Sequence, residues 1–110
     1  MSKFIIVYTT TNQKETAEKL ADFLLQERLS ACVQIIGPFK SSYRWNGKIE
    51  EDNEFMLIIK TKESLFKKVN EAIKSLHNYK VPEVLAVPIM DGNPDYLEWL
   101  NKETLNSGLE

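Results

Sequence analysis

Apolar and polar positions alternate along this chain in two rhythms, one of strands and one of helices. Phe4 to Tyr8 is an unbroken apolar run rich in β-branched and aromatic residues. It predicts a central strand covered on at least part of both faces. Ala17, Leu20, Ala21, Leu24 and Leu25 then recur at helical spacing, with Lys14, Glu15, Glu18, Lys19, Asp22 and Glu27 mostly off that face. This predicts an amphipathic helix running to about Arg28, with Asn12 as N-cap and Glu15 completing a capping box. Ala31 to Ile36 reads as a second strand, interrupted at Gly37-Pro38 and resumed at Phe39. Proline cannot donate to a central ladder, so the interruption marks an edge strand or a bulge.

The resumed strand alternates Phe39, Tyr43 and Trp45 with Lys40, Ser42 and Arg44, then meets Asn46-Gly47. That pair is a strong hairpin signal, because a type I′ turn needs positive φ at both central residues. A third strand follows from Lys48 to about Thr61, acidic from Glu50 to Glu54 and apolar from Phe55 to Ile59. Thr61 is placed to cap a second helix carrying Leu65, Phe66, Val69, Ala72, Ile73 and Leu76. His77 to Pro82 reads as a loop, Val84 to Val87 as a fourth strand closed by Pro88. Asp91 to Pro94 reads as a turn opening a short helix with Asn93 as N-cap. That helix presents Tyr96, Leu97, Trp99 and Leu100, and Asn106 to Glu110 reads as a frayed tail.

Two strand–helix–strand halves joined by a hairpin define the topology. Right-handed crossovers place the first and third strands side by side in the centre. The expected fold is α+β, a ferredoxin-like βαββαβ sandwich with a long central hairpin and a C-terminal helix, in a single domain over 1–110. The second strand lies on an edge, and its Phe39, Tyr43 and Trp45 form an aromatic face that a monomer would leave open. These three are the expected contacts with another copy of the chain.

Composition narrows the classes. A chain of 110 residues is expected to bury roughly 65% of its unfolded surface. Its 43% hydrophobic and 27% charged content is ordinary for a soluble protein. The net charge of −2 argues against a nucleic-acid partner. The single cysteine forbids an internal disulfide and fits a reducing compartment. The N-terminal apolar run is too short for a signal peptide or a membrane span, so the expectation is a cytoplasmic protein with no membrane partner.

Motif-borne chemistry is sparse. A paired-cysteine metal motif is impossible with one thiol, and the glycines are too isolated for a phosphate-cradling loop. Cys32 reads either as a soft-metal ligand or as a small buried hydrophobe. His77 reads either as a ligand for a metal such as Cu(II) or Zn(II), or as a helix-end imidazole facing carbonyls. An enzyme with Cys32 as nucleophile and His77 as base ranks last, since no feature brings the two together. Glu50, Glu51, Asp52 and Glu54 read as a solvated arm or, across a symmetry axis, as a hard-cation site. Lys60 and Glu83 read as pocket residues, brought together across copies of the chain where one copy does not hold them adjacent, or as an ordinary salt bridge, with Trp45 and Tyr79 as apolar walls.

Ala31-Cys32-Val33, Tyr43 to Asp52, Ile58 to Thr61, His77 to Glu83 and Gly92 to Trp99 occur together and in order. Over essentially the whole chain they resemble the CutA family of divalent-cation tolerance proteins. The resemblance implies a tight homotrimer kin in architecture to PII signalling proteins. It also implies association with copper or another divalent cation, not required for folding, and a non-enzymatic role with no catalytic residues. Some family members carry an extra histidine beside His77 and a cysteine at the end of the first strand; here those positions are Leu76 and Tyr8. The alternative reading is a PII-like sensor binding a small anionic metabolite at subunit clefts, with Lys60 as its charge partner.

Overall fold

A computed structural model describes residues 3–106. The order is β1 (Phe4–Thr11), α1 (Lys14–Gln26), β2 (Cys32–Trp45), β3 (Lys48–Lys62), a 3-10 turn (Glu63–Leu65), α2 (Phe66–Leu76), β4 (Leu85–Pro88) and α3 (Pro94–Glu103). One sheet runs β2-β3-β1-β4, and every neighbouring pair is antiparallel. The expected ferredoxin-like topology is therefore present, with β1 and β3 central. Most of the expected tail, from position 107 on, lies outside the described residues.

Residues directly opposite in a ladder share a face. Val7 pairs with Ile59 and Ile5 with Thr61, and with Leu57 they turn toward the helices. They pack against Ala17, Leu20 and Leu24 of α1 and Val69, Ala72 and Ile73 of α2. The other face carries no such layer. Ile6 and Tyr8 pair there with Lys60 and Ile58 on one side and with Val87 and Leu85 on the other. Ile36 opposes Met56 in the same layer. Ile36, Leu85 and Val87 are exposed, while Ile6, Tyr8, Met56 and Ile58 are half-buried. The apolar run of β1 thus serves two faces: α1 and α2 cover one, and α3 meets the other at the Lys60–Lys62 end, where the Lys60 ammonium faces the Tyr96 ring and Lys62 donates to Asn101.

The hairpin is as the turn chemistry predicts, with φ of 51° at Asn46 and 77° at Gly47. The Gly37-Pro38 interruption is a bulge: the register passes from Ile36↔Met56 to Phe39↔Glu54, so β2 carries one residue too many. The extra residue reverses the parity of β2. Beyond it Phe39, Ser41, Tyr43 and Trp45 pair with Glu54, Asp52, Glu50 and Lys48. They thereby join the face opposite α1 and α2. Gly37 has a φ of 143°, and a Cβ there would lie 2.8 Å from the Glu54 carbonyl oxygen. Both backbone and space demand glycine. Gly37→Ala is expected to cost on the order of 2 kcal/mol or more, read as a lower urea midpoint.

Several local expectations shift. The helix α1 starts from Gln13 rather than Asn12, with no side-chain cap bond. Strand pairing continues through Thr11, and Asn12 is drawn elsewhere, donating to Asp52 and accepting from Asn78. The helix ends at Gln26, because Arg28 turns left-handed and its guanidinium donates to the carbonyls of Lys102 and Glu103. Thr61 caps nothing; it stays in β3 and donates to the Leu29 carbonyl at 2.6 Å. Leu25 lies off the core, exposed. Pro88 sits inside β4, an edge strand that tolerates its missing N–H. Asn93 does cap α3, accepting from Asp95 N–H at 3.1 Å.

Candidate functional site

The bulge and the hairpin extend β2 and β3 past the end of β1. The segment between α2 and β4 folds back toward this arm, and a cavity of about 560 Å³ opens between them. Tyr43 and Trp45 line it from the arm, Glu54 from β3, and Tyr79, Lys80, Val81 and Glu83 from the α2–β4 segment.

His77 anchors that segment. Its Nδ1 accepts from Tyr79 N–H at 2.9 Å, which leaves Nε2 to carry the proton and donate to the Thr10 carbonyl at 2.8 Å. Asn78 accepts from the Thr11 hydroxyl and donates to Asn12. These bonds tie His77 and Asn78 to the end of β1 and to Asn12, and hold Tyr79 to His77. They place the Tyr79 hydroxyl 2.6 Å from Glu54 Oε2, to which it donates. Glu54 is 6% exposed. Desolvation pushes the Tyr79 hydroxyl far above its ordinary value, helped by the bond to Glu54 and by the charges of Glu54 and Asp52. It stays protonated and a donor at any physiological pH.

Desolvation lowers His77 below 6.5, against smaller opposing effects of the Thr10 bond and Glu54. Protonation would also put two donors, Nδ1–H and the Tyr79 N–H, face to face. Because the folded pKa is depressed, this stabilisation is complete above the unfolded value of 6.5. It is lost as pH falls through the lowered folded value. His77 is the only histidine. Thermal unfolding of the wild type between pH 5 and 8, beside His77→Gln, is expected to show an acid-side loss that the variant lacks.

The structure brings Trp45, Tyr79 and Glu83 to one cavity but not Lys60. Lys60 lies six residues along β3 from Glu54, about 20 Å away at strand spacing. Its ammonium instead stands 5.7 Å from the centre of the Tyr96 ring. No Lys60–Glu83 salt bridge forms within the chain: the ion pairs among the described residues are Lys40–Glu51 and Lys102–Glu98, both exposed. Phe39 is half-buried, and Tyr43 and Trp45 are exposed on the arm. The acidic run divides between two faces. Glu51 pairs with Lys40, Asp52 accepts from Asn12, and Glu54 accepts from Tyr79. The Tyr79–Glu54 bond joins residues 25 apart in sequence, and no local motif announces it.

The two metal-ligand candidates do not meet. Cys32 pairs with Lys60, and Lys60 with Ile6, whereas His77 binds the carbonyl of Thr10. Cys32 and Thr10 are thus two strands and four residues apart, about 10 Å across and 13 Å along. His77 has both ring nitrogens engaged within the chain; Cys32 is a half-exposed free thiol. Among the described residues, no three His, Cys, Asp or Glu side chains are grouped to hold a metal ion. The donors of one subunit do not fit a chelated cation.

The family described as CutA1 divalent ion tolerance protein matches residues 5–103. The chain is 46% identical over 102 residues to the chloroplastic CutA protein of Arabidopsis thaliana, covering 93% of this chain and 56% of that one. It therefore spans little more than half of that plant relative. It is 44% identical over 99 residues to the divalent-cation tolerance protein CutA of Thermus thermophilus, covering 90% and 96% of the two. The crystal structure of CutA1 from Oryza sativa superposes with a TM-score of 0.93 at 46% identity, covering 96% of this chain and 97% of that one. An Archaeoglobus fulgidus structure described as a periplasmic divalent cation tolerance protein shares 38% identity with a TM-score of 0.88, covering 91% and 97%.

Proposed function

The chain belongs to the CutA1 divalent ion tolerance family, and from that premise we propose that it serves divalent-cation tolerance as a non-enzymatic homotrimer. The family match across residues 5–103 carries the reading. The number three is what the family resemblance implies. Assembly itself has physical support in the sheet face opposite α1 and α2. Ile36, Leu85 and Val87 are exposed there beside half-buried Ile6, Tyr8, Met56 and Ile58. A patch of this kind marks a contact surface rather than a solvated one. The long outer edge of β2 is also unpaired and asks for a neighbour.

No helix among the described residues is long and apolar enough to cross a membrane. We assign the protein to the cytoplasm on its single thiol, although relatives are named chloroplastic and periplasmic. The response to copper or another divalent cation belongs to the assembly, since the described residues of one subunit hold no chelating set. Of the two ligand candidates, only Cys32 keeps a free ligating atom.

Calorimetric titration of the purified assembly with copper, zinc and magnesium salts tests this. Copper is expected to bind with a heat that Cys32→Ala removes and that His77→Ala leaves in place. No binding tighter than about 1 mM, where the free energy is near −4 kcal/mol, would end the direct-binding reading. Loss of binding in His77→Ala alone would return the ligand role to that residue.

A further inference from the structure

The cavity between the hairpin arm and the α2–β4 segment has a chemistry that neither metal nor anion fits. Its floor holds the Glu54 carboxylate, 6% exposed, with the Tyr79 hydroxyl as its one recorded side-chain partner. No ion pair among the described residues involves Glu54. A carboxylate removed from water gains most from a cation that donates to its remaining lone pairs. Of the exposed charges at the rim, Lys80 and Glu83 oppose each other in sign. The field is decided below them, by Glu54 together with Asp52, whose charges both act on Tyr79.

The walls are aromatic and apolar: Tyr43 and Trp45 on one side, Tyr79 and Val81 on the other. Ring faces attract a cation and accept the hydrocarbon that carries it. A bare metal ion would find a single deeply buried carboxylate and too few ligands. A small anion would meet Glu54 without the ammonium of Lys60, which stands far off beside Tyr96. A volume of about 560 Å³ takes a small organic molecule.

We propose that this cavity binds an organic amine, its ammonium on Glu54 and its apolar body against Trp45 and Tyr43. The proposal stands on the geometry of one chain and is independent of copper binding. Tyr43 and Trp45 are also the arm residues expected against another copy of the chain, so the cavity is tested in the intact full-chain assembly.

Calorimetric titration with phenethylammonium, its neutral isostere 2-phenylethanol and the anion phenylacetate provides the test. Phenethylammonium is expected to bind at least about tenfold more tightly than the alcohol, and phenylacetate not to bind. Glu54→Gln is expected to erase the preference for the amine, and far-ultraviolet circular dichroism reports whether that variant folds. Trp45→Leu, at an exposed position, is expected to weaken the amine about fivefold. Equal affinity for amine and alcohol, preference for phenylacetate, or no saturation by about 10 mM amine would overturn the proposal. So would an unchanged amine preference in folded Glu54→Gln. If that variant does not fold, the Trp45→Leu result and the three-ligand ranking decide the matter. Failure of amine binding with copper binding intact would leave the tolerance reading standing.

Discussion

Ile58→Asp is expected to release a folded monomer from the proposed assembly. Ile58 lies on the face of β3 opposite α1 and α2, paired with Tyr8 on one side and Gln34 on the other. It is half-buried in one chain, so the substitution leaves no cavity in the helix-covered core. In the assembly it would bury a carboxylate without a partner, once in each subunit. Truncation of a central interface residue commonly costs about 2 kcal/mol or more, and an unpaired buried charge adds to that. The isolated subunit is also expected to melt lower, because mass action no longer supports its folded state. Its melting temperature should stop depending on protein concentration. An Ile58→Asp protein that remains assembled would show that this face is not the contact.

Leu57→Ala, one residue away, is expected to act on the fold instead. Its side chain points to the opposite face, is fully buried and belongs to the core cluster with Leu20, Leu24 and Val69. Removing a buried leucine costs about 2–5 kcal/mol. Against a total stability of roughly 5–15 kcal/mol, that is a large fraction. The expected readout is a melting temperature lower by about 4 °C or more per kcal/mol, with the assembly intact below the transition. A melting point unchanged by Leu57→Ala would contradict the assignment of the two faces. Adjacent residues with opposite phenotypes are the signature of a strand whose two sides do different work.

Much of this arrangement was legible in the chain. Helix faces follow from Ala17, Leu20 and Leu24, and from Val69, Ala72 and Ile73, because period 3.6 is a local property. Asn46-Gly47 announces its turn for the same reason: positive φ is a local requirement. The bulge at Gly37-Pro38 was one of two readings of the proline. Both hold, since β2 is an edge strand, but the bulge shows only in the register that β3 sets.

What failed was long-range. Asn12 looked like a cap until its neighbours Asp52 and Asn78, far off in sequence, claimed its side chain. The placing of Lys60 within one chain was not legible either. The pairing Cys32↔Lys60 sends it away from Glu54, and Glu54 itself read only as one charge in an acidic run. Met56 and Ile58 were visible as apolar residues. That they form an uncovered layer with Tyr8, Leu85 and Ile36 needs the strand order β2-β3-β1-β4.

Assembly through the sheet face opposite α1 and α2 is central to the proposed function, and sedimentation equilibrium of the wild-type protein at micromolar concentration tests it most directly. The prediction is one species of three times the 12.7 kDa chain mass. A monomer of 12.7 kDa under those conditions would contradict it.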